Sequence, residues 1–549
     1  MNWTEYWGEQ ASFTLFDSHY DGGAGFEQVF KAWKNAARRP ARLHYIALDR
    51  HAPMPGFRRI PLGDANVTLD VLGAQLDAPL DAALAELRAH IDLAWLHHAQ
   101  GDGTHFARAL GRLAAPGMCV LHEDLTPAQL RALEAASFTL EANEHARYTS
   151  RRPFTPPARA PERRAIVIGA GLAGSAACQR LVARGWDVTI VERHRQSAQE
   201  ASGNLAGITM PLLSRDDNLM TRAARAAFQY AQDYFDALGG IGRGGVIIGA
   251  RCGVLQLARD AEHAETQRAI AAEGRYPLEF ARWLESGEAT ALLGAPAPHG
   301  AWLFPQGGWA NPASVCRAML DACGAALTRR FAVGDVRLDR VDGSWVVSNQ
   351  AGVVAEAPVV ILASGAGQFS QSAELPLAAV RGQVTHLEAG SVPALPFVLC
   401  REAYLTPAQR GLHSAGATYD DSVDASLSED SQRHNLAKLA SMLGTDAPLD
   451  APLAGRVGFR SVAPDRLPLV GALPDAGAST RMERLREVPR HPGLYGLLGY
   501  ASRGMTWAPL AAELLASMLD GEPLPLEMEL VDALDPARFL LRERRRTAS

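Results

Sequence analysis

The amino-acid sequence predicts an α/β protein: a Rossmann-type nucleotide-binding domain interleaved with an antiparallel-sheet substrate domain, preceded by a small α/β domain. Three observations carry the prediction. A strand, a glycine turn, a helix and a second strand follow one another without a gap over residues 164–193. Beyond them the chain turns to strand-like and glycine-rich segments rather than to further strand–helix units. Before them strand-like and helix-like segments alternate, the pattern of a layered domain on a mainly parallel sheet.

In the first part, ARLHYIALD (41–49) reads as a strand ending in an acid. LDAALAELRAHI (80–91) has the apolar spacing of an amphipathic helix, and IDLAWLH (91–97) and GMCVLHE (117–123) read as buried strands. TPAQLRALEAA (126–136) reads as a helix opened by Thr126, whose hydroxyl can accept an orphan N–H of the first turn. Residues 149–163, TSRRPFTPPARAPER, are rich in proline and arginine and lack apolar periodicity, as an extended spacer does. They divide the chain into 1–148, a linker at 149–163, and 164–549. In the last part GSWVVSN (343–349), APVVILAS (357–364), RGQVTHLEA (381–389) and RVGFRSV (456–462) are strand-like, and TWAPLAAELLASML (506–519) reads as an amphipathic helix.

A chain of 549 residues exceeds the ~250–300 that one core supports, which agrees with this division. No apolar run reaches the ~18 residues of a membrane helix. The start, MNWTEYWGEQ, has no basic segment ahead of an apolar one, so no secretory signal and a cytoplasmic location are expected. Six scattered cysteines form no Cys-x-x-Cys pair, against a zinc site or a disulfide framework. The net charge of −6 excludes wrapping of nucleic acid over the whole surface. Any such contact must be a local patch, for which Arg38, Arg39 and Arg42, Arg58 and Arg59, Arg151 and Arg152, Arg329 and Arg330, and Arg542 with Arg544, Arg545 and Arg546 are candidates; the alternative is that these clusters are solvated faces.

The segment RAIVIGAGLAGSAACQRLVARGWDVTIVER (164–193) carries a complete dinucleotide fingerprint. Gly169 permits the tight turn, Gly171 lets the backbone approach a pyrophosphate, and Gly174 lets helix and strand pack closely. Leu172 and Ala173 open the helix, whose free N–H groups and positive dipole end face the phosphates. Glu192, followed by Arg193, closes the second strand 18 positions after Gly174, close to the ~20 at which an acid binds ribose hydroxyls. The fingerprint alone does not separate FAD from NAD.

The rest of the chain separates them by resemblance. APVVILASGAG (357–367), with Gly365, resembles the strand-and-glycine segment that runs back past the cofactor in FAD-dependent amine oxidases. LYGLLGYASRGMTWAPLAAELLASML (494–519) resembles their closing segment, where Gly504 and Met505 would meet the flavin and a helix amino terminus would face it. Together with ASGNLAGITMPLLS (201–214), CGVLQLA (252–258), GGWANPASVCRAML (307–320), RGQVTHL (381–387), GATYDD (416–421) and GRVGFRSVAPDRLPLVG (455–471), these motifs resemble one family, the bifunctional tRNA 5-methylaminomethyl-2-thiouridine biosynthesis proteins, MnmC. The match spans nearly all of 164–520 and implies a D-amino-acid oxidase-like fold, FAD as cofactor and tRNA as partner. The implied reaction oxidises the carboxymethylaminomethyl group of the wobble uridine, releasing glyoxylate and leaving the aminomethyl base. Ser202, Gly203 and Asn204 are further expected cofactor contacts. No metal is expected.

A glycine-like substrate group carries a carboxylate, which an arginine fork binds well. Arg503 in the closing loop is the first candidate, followed by Arg460 and Tyr404; the alternatives are a phosphate contact for Arg503 and plain packing or an ion pair for the other two.

The first part resembles the family's S-adenosylmethionine-dependent methyltransferase domain only in outline. Asp49 would hold the cofactor ribose. The glycine loop instead reads DSHYDGGAGF, with His19 and Asp21 where glycines are expected, and His97 stands where an amine-positioning aspartate is expected. His97 and His98 could serve as a replacement base, but neighbours on a strand point to opposite faces and the sequence shows no orienting acid. A degenerate methyltransferase-like scaffold, with little use of S-adenosylmethionine, is therefore expected. Two other readings stay open: a small-molecule amine oxidase of the glycine oxidase type, and a first part that docks tRNA.

Overall fold

The computed structural model describes residues 3–7, 10–74, 78–97, 104–142, 144–151, 162–445, 453–475, 477 and 483–542. Most of the linker, His98, and Arg544 to Arg546 lie outside these. The chain forms two compact units, Met1–Glu162 with Glu513–Asp532, and Arg163–Ala512 with Ala533–Ser549. Residues 513–532 thus belong with the first unit, whereas the sequence alone assigns all of 164–549 to the second part. Buried charge explains the difference. Arg59 donates to both carboxylate oxygens of Asp70 at 2.7 Å, to Glu513 and Ser517 at 2.9 Å, and to the Pro523 carbonyl at 2.8 Å. Arg42 pairs with Glu522 at 2.7 Å. A buried guanidinium needs such partners, so these two arginines are interior groups and not part of a basic patch.

The first unit is built on one eight-stranded sheet. From edge to edge it runs Gly56–Pro61, Val67–Gly73, Arg42–Asp49, Ser12–Asp17, Ile91–His97, Ala114–Glu123, His145–Tyr148 and Phe138–Glu141. The five inner strands from Val67–Gly73 to Ala114–Glu123 pair in parallel, and the outer ones are antiparallel. Strands covered on both faces read as near-continuous apolar runs; Leu43 to Leu48 are all buried, and the polar His44 among them is hydrogen-bonded to the Thr68 hydroxyl at 2.7 Å. The helix expected over 80–91 stops at Glu86, because Ile91 already begins the next strand. Thr126 opens Pro127–Ala135 with a reciprocal capping box to Gln129.

The second unit holds a six-stranded sheet ordered Leu327–Arg330, Asp187–Val191, Arg164–Ile168, Val359–Leu362, Arg490–Leu498, Leu469–Pro474, parallel except for the last pair. Its other large sheet has eight strands, among them Val254–Leu257, Tyr404–Leu405, Ala378–Glu388 and Gly455–Val462, and is antiparallel except where Val254–Leu257 meets Val398–Cys400. This is the expected interleaved architecture. The closing helix, Gly504–Asp520, is buried along nearly its whole length rather than on one stripe. Among the described residues no helix is long and apolar enough to cross a membrane.

Candidate functional site

The glycine turn after Arg164–Ile168 is shaped by close approaches. Gly169 sits at φ 106°, and a Cβ there would stand 2.5 Å from the Ala363 carbonyl oxygen. A Cβ at Gly174 would collide with the Gly169 carbonyl oxygen, so helix Leu172–Val182 lies directly on the turn. Gly171 is the residue before that helix, and the Ser202 hydroxyl accepts the Leu172 N–H at 3.2 Å. Glu192 is buried; its carboxylate accepts the N–H of Ala170 at 2.7 Å and of His194 at 2.9 Å.

A cavity of about 640 Å³ starts at this turn. Gly169, Gly171, Leu172, Ala173, Glu192, Arg193, Ser202, Asn204 and Gly365 line one part of it, and Gly504 and Met505 line it where the closing helix begins. Gly365, at φ 59°, has open space where a Cβ would stand. Two expected contacts lie elsewhere. Gly174 serves the packing of helix on turn. Gly203 is not on the cavity wall: the Arg456 guanidinium occupies the space a Cβ would need, donating to the carbonyls of Gln199 and Glu200. Gly203 thus packs directly against Arg456. The remaining wall fits FAD: a helix end and glycine backbone for a pyrophosphate, a carboxylate at the end of the second strand for ribose, and a second helix end, at Gly504, opening on the same cavity.

Arg503, Arg460 and Tyr404 line the cavity together. Arg503 makes one long bond, 3.5 Å to the Met210 carbonyl, and burial pulls its guanidinium below the usual range. Arg460 donates to the Thr418 carbonyl at 3.2 Å. Among the described residues neither guanidinium meets a carboxylate, so two cations face the cavity without counter-ions. Burial, chiefly, pushes the Tyr404 hydroxyl above its ordinary range, keeping it a neutral donor. Burial likewise pushes the Cys400 thiol up to about 12, so this wall residue is an unreactive thiol.

Sequence reasoning missed Tyr419, which also lines the cavity yet is 60% exposed, with Arg460 4.3 Å from its ring centroid. It missed Gln256 and Tyr500 on the same wall. GATYDD and CGVLQLA were recognised as motifs, but nothing in them signals which residue faces the cavity.

In the first unit, strands Ser12–Asp17 and Ile91–His97 are neighbours, and the chain proceeds outward from them in opposite directions. His97 stands between two acids: Nε2 is 3.5 Å from Asp17 and Nδ1 is 3.4 Å from Glu123. The expectation that His97 lacks an orienting acid is thus corrected; the acids come from other strands. Tyr45 donates to Asp17 at 2.5 Å, and burial raises the Asp17 carboxyl to about 6. Asp21 accepts the Gly25 N–H at 3.0 Å, filling the helix end that a glycine loop would offer to a ligand anion. Asp49, at the end of its strand, accepts the His51 N–H at 2.8 Å.

Residues 164–518 match the DAO family, described as FAD dependent oxidoreductase. The chain is 38% identical to the tRNA 5-methylaminomethyl-2-thiouridine biosynthesis bifunctional protein MnmC of Paraburkholderia xenovorans (strain LB400), over 98% of this chain and 92% of that protein. Identity and coverage are the same for the protein of that name from Azoarcus sp. (strain BH72). Among solved structures, glycine oxidase from Geobacillus kaustophilus aligns with a TM-score of 0.55 at 22% identity, covering 68% of this chain and 99% of that one. Iminodiacetate oxidase from Chelativorans sp. BNC1 aligns with a TM-score of 0.53 at 25% identity, covering 66% and 96%. These likenesses show the fold of the second unit.

Proposed function

The chain belongs to the MnmC family of bifunctional tRNA 5-methylaminomethyl-2-thiouridine biosynthesis proteins and carries an FAD-dependent oxidoreductase of the DAO family, and from that premise we propose that it removes the carboxymethyl group from 5-carboxymethylaminomethyl uridine at the wobble position of tRNA. The observation that carries this reading is the pair of uncompensated guanidiniums, Arg503 and Arg460, with the neutral Tyr404 hydroxyl, on the wall that the closing helix Gly504–Asp520 also reaches. That set fits the carboxylate of an N-substituted glycine.

Arg503 and Arg460 would hold the carboxylate and Tyr404 would donate to it, so the methylene beside it is fixed in direction. Burial of the Arg503 guanidinium strengthens this grip, because little water competes there for the carboxylate. FAD, when bound, takes up the hydride lost from that methylene. The substrate nitrogen supplies the electron pair that forms the C=N bond. Water then adds across this bond and splits it, giving the aminomethyl base and glyoxylate. Gly169, Gly171, Ser202 and Glu192 would hold the cofactor's phosphates and ribose, and the helix end at Gly504 would stabilise negative charge developing beside it.

We further propose that the first unit does not depend on S-adenosylmethionine. Asp21 fills the helix end that the cofactor's carboxylate would use, and His97 replaces the acid that would hold an ammonium group. The test is mass spectrometry of wobble nucleosides after incubation with tRNA carrying the carboxymethylaminomethyl group, with glyoxylate trapped as a hydrazone. Anaerobic flavin bleaching by that tRNA is expected. Bleaching by free glycine but not by the tRNA would replace this reading with a small-molecule oxidase.

A further inference from the structure

We propose that Tyr419 is the stacking platform for the substrate nucleobase, held in place by the buried Arg381; this rests on the tRNA reading above. Tyr419 is a large aromatic side chain left 60% exposed at a cavity wall. Its immediate loop adds Val423, 91% exposed, and Leu427, 47% exposed. A solvated loop presenting apolar groups needs a reason to keep its shape, and Arg381 supplies the means. Its backbone exchanges two hydrogen bonds with Asp420, N–H to carbonyl at 2.9 Å and carbonyl from N–H at 3.1 Å. Its buried guanidinium donates to the carbonyls of Asp424 and Ser426, at 2.7 and 2.8 Å, and to the Asp420 carboxylate at 3.1 Å. One side chain thus fixes the loop at three residues beyond Tyr419.

The same strand prepares the ring's partner. A Cβ at Gly382 would overlap the Arg460 guanidinium, so only glycine lets Arg460 lie across this strand and reach over the Tyr419 ring. Arg460 therefore has two neighbours of different kinds, the cavity where a carboxylate would bind and an aromatic ring at its exposed margin. The substrate has the same two parts, a planar base and a carboxylate, joined by a short flexible arm. A base stacked on the exposed ring would send its arm past Arg460 into the cavity. Aromatic stacking of a splayed-out base is the ordinary way single-stranded RNA is held. A site for free glycine has no use for an exposed ring fixed by a buried arginine.

The experiment uses the FAD-loaded full chain and tRNA carrying carboxymethylaminomethyl uridine, with anaerobic flavin reduction followed against tRNA concentration. Tyr419→Ala is expected to raise the half-saturating tRNA concentration about tenfold while the rate at saturation stays near that of the unaltered protein, and Tyr419→Phe is expected to restore half-saturation. Flavin content and melting temperature check that both variants fold. Unchanged half-saturation in Tyr419→Ala would overturn the platform. A fall in the saturating rate with unchanged half-saturation would also overturn it, placing Tyr419 as a support for Arg460. Failure of the unaltered protein to reduce its flavin with this tRNA would instead overturn the proposed function itself.

Discussion

The Glu192 carboxylate accepts the Ala170 N–H at 2.7 Å, tying the end of the second strand to the turn that opens the first helix. Among the described residues only one other backbone donor, from His194, reaches that carboxylate. One acid thus shapes the turn and keeps acceptor capacity toward the cavity it lines.

The purified protein is expected to be yellow, with FAD non-covalently bound. Glu192→Ala should weaken FAD binding by roughly ten- to a hundred-fold, the loss of charge-assisted bonds worth about 1.5–3 kcal/mol. Flavin fluorescence titration of the apoprotein measures this. Glu192→Gln keeps an acceptor for Ala170 and should fall between the two. Retention of full affinity by the alanine variant would remove Glu192 from the cofactor site.

Gly174→Ala should disrupt the turn itself, because its Cβ would meet the Gly169 carbonyl oxygen. A loss of about 1–3 kcal/mol is expected from such overpacking, together with a fall in bound flavin. Gly171→Val should lose flavin by crowding Ser202, whose Oγ lies 3.0 Å from the Cβ position, and by blocking approach of the pyrophosphate. Thermal melting and the flavin-to-protein absorbance ratio separate the two effects.

Arg503→Ala should lower the rate of anaerobic flavin reduction by the modified tRNA through about 2–4 kcal/mol of lost carboxylate binding and positioning. Arg460→Ala should act in the same direction. Unchanged reduction kinetics in Arg503→Ala would remove it from the carboxylate site.

Asp92 accepts the Thr14 N–H at 2.7 Å, and burial raises its carboxyl from an ordinary 3.8 to about 6. Between those values the folded protein holds a proton that the unfolded chain has lost, so stability falls as pH rises through this window. Asp92→Asn keeps an acceptor for Thr14 and removes the penalised charge. It should stabilise the protein by about 1–2 kcal/mol at pH 7 and make little difference at pH 4. Denaturant unfolding at the two pH values tests the sign.

Calorimetric titration with S-adenosylmethionine should show no binding in the micromolar range, and tritiated methyl groups should not enter aminomethyl tRNA. The physical reason is local: Asp21 accepts the Gly25 N–H, and a Cβ at Gly25 would meet the Tyr45 hydroxyl at 2.8 Å, so the loop is closed by its own side chains. Multiple methyl-transfer turnovers would show instead that His97, set between Asp17 and Glu123, works as a base.

Fingerprint residues were legible in the sequence because their constraints are local. Gly169 and Gly174 answer to one turn, and Thr126 to one helix end. Arg503 and Arg460 were legible as cations in suspicious motifs, but not as a pair, since they come from segments that only folding brings together. His97 shows the reverse case: both acids beside it are in the sequence, but on strands whose pairing sets the distance. The packing of Arg456 on Gly203 was not legible, because a small residue in a glycine-rich segment looks alike whether a ligand or an arginine fills the space.

By itself the sequence determined the strand–turn–helix unit at 164–193, the order of strands and helices, and the chemistry of the groups available. These follow from backbone freedom at glycine and from apolar period, which act over a few residues. Only the tertiary structure decided which charges are interior. Arg59 and Arg381 look like surface arginines in one dimension, and each is buried because carboxylates and carbonyls from distant segments converge on its five donors. Among the described residues the same convergence left Arg503 and Arg460 without carboxylates and Tyr419 exposed, and a site is built from such unmet interactions, which no local pattern records.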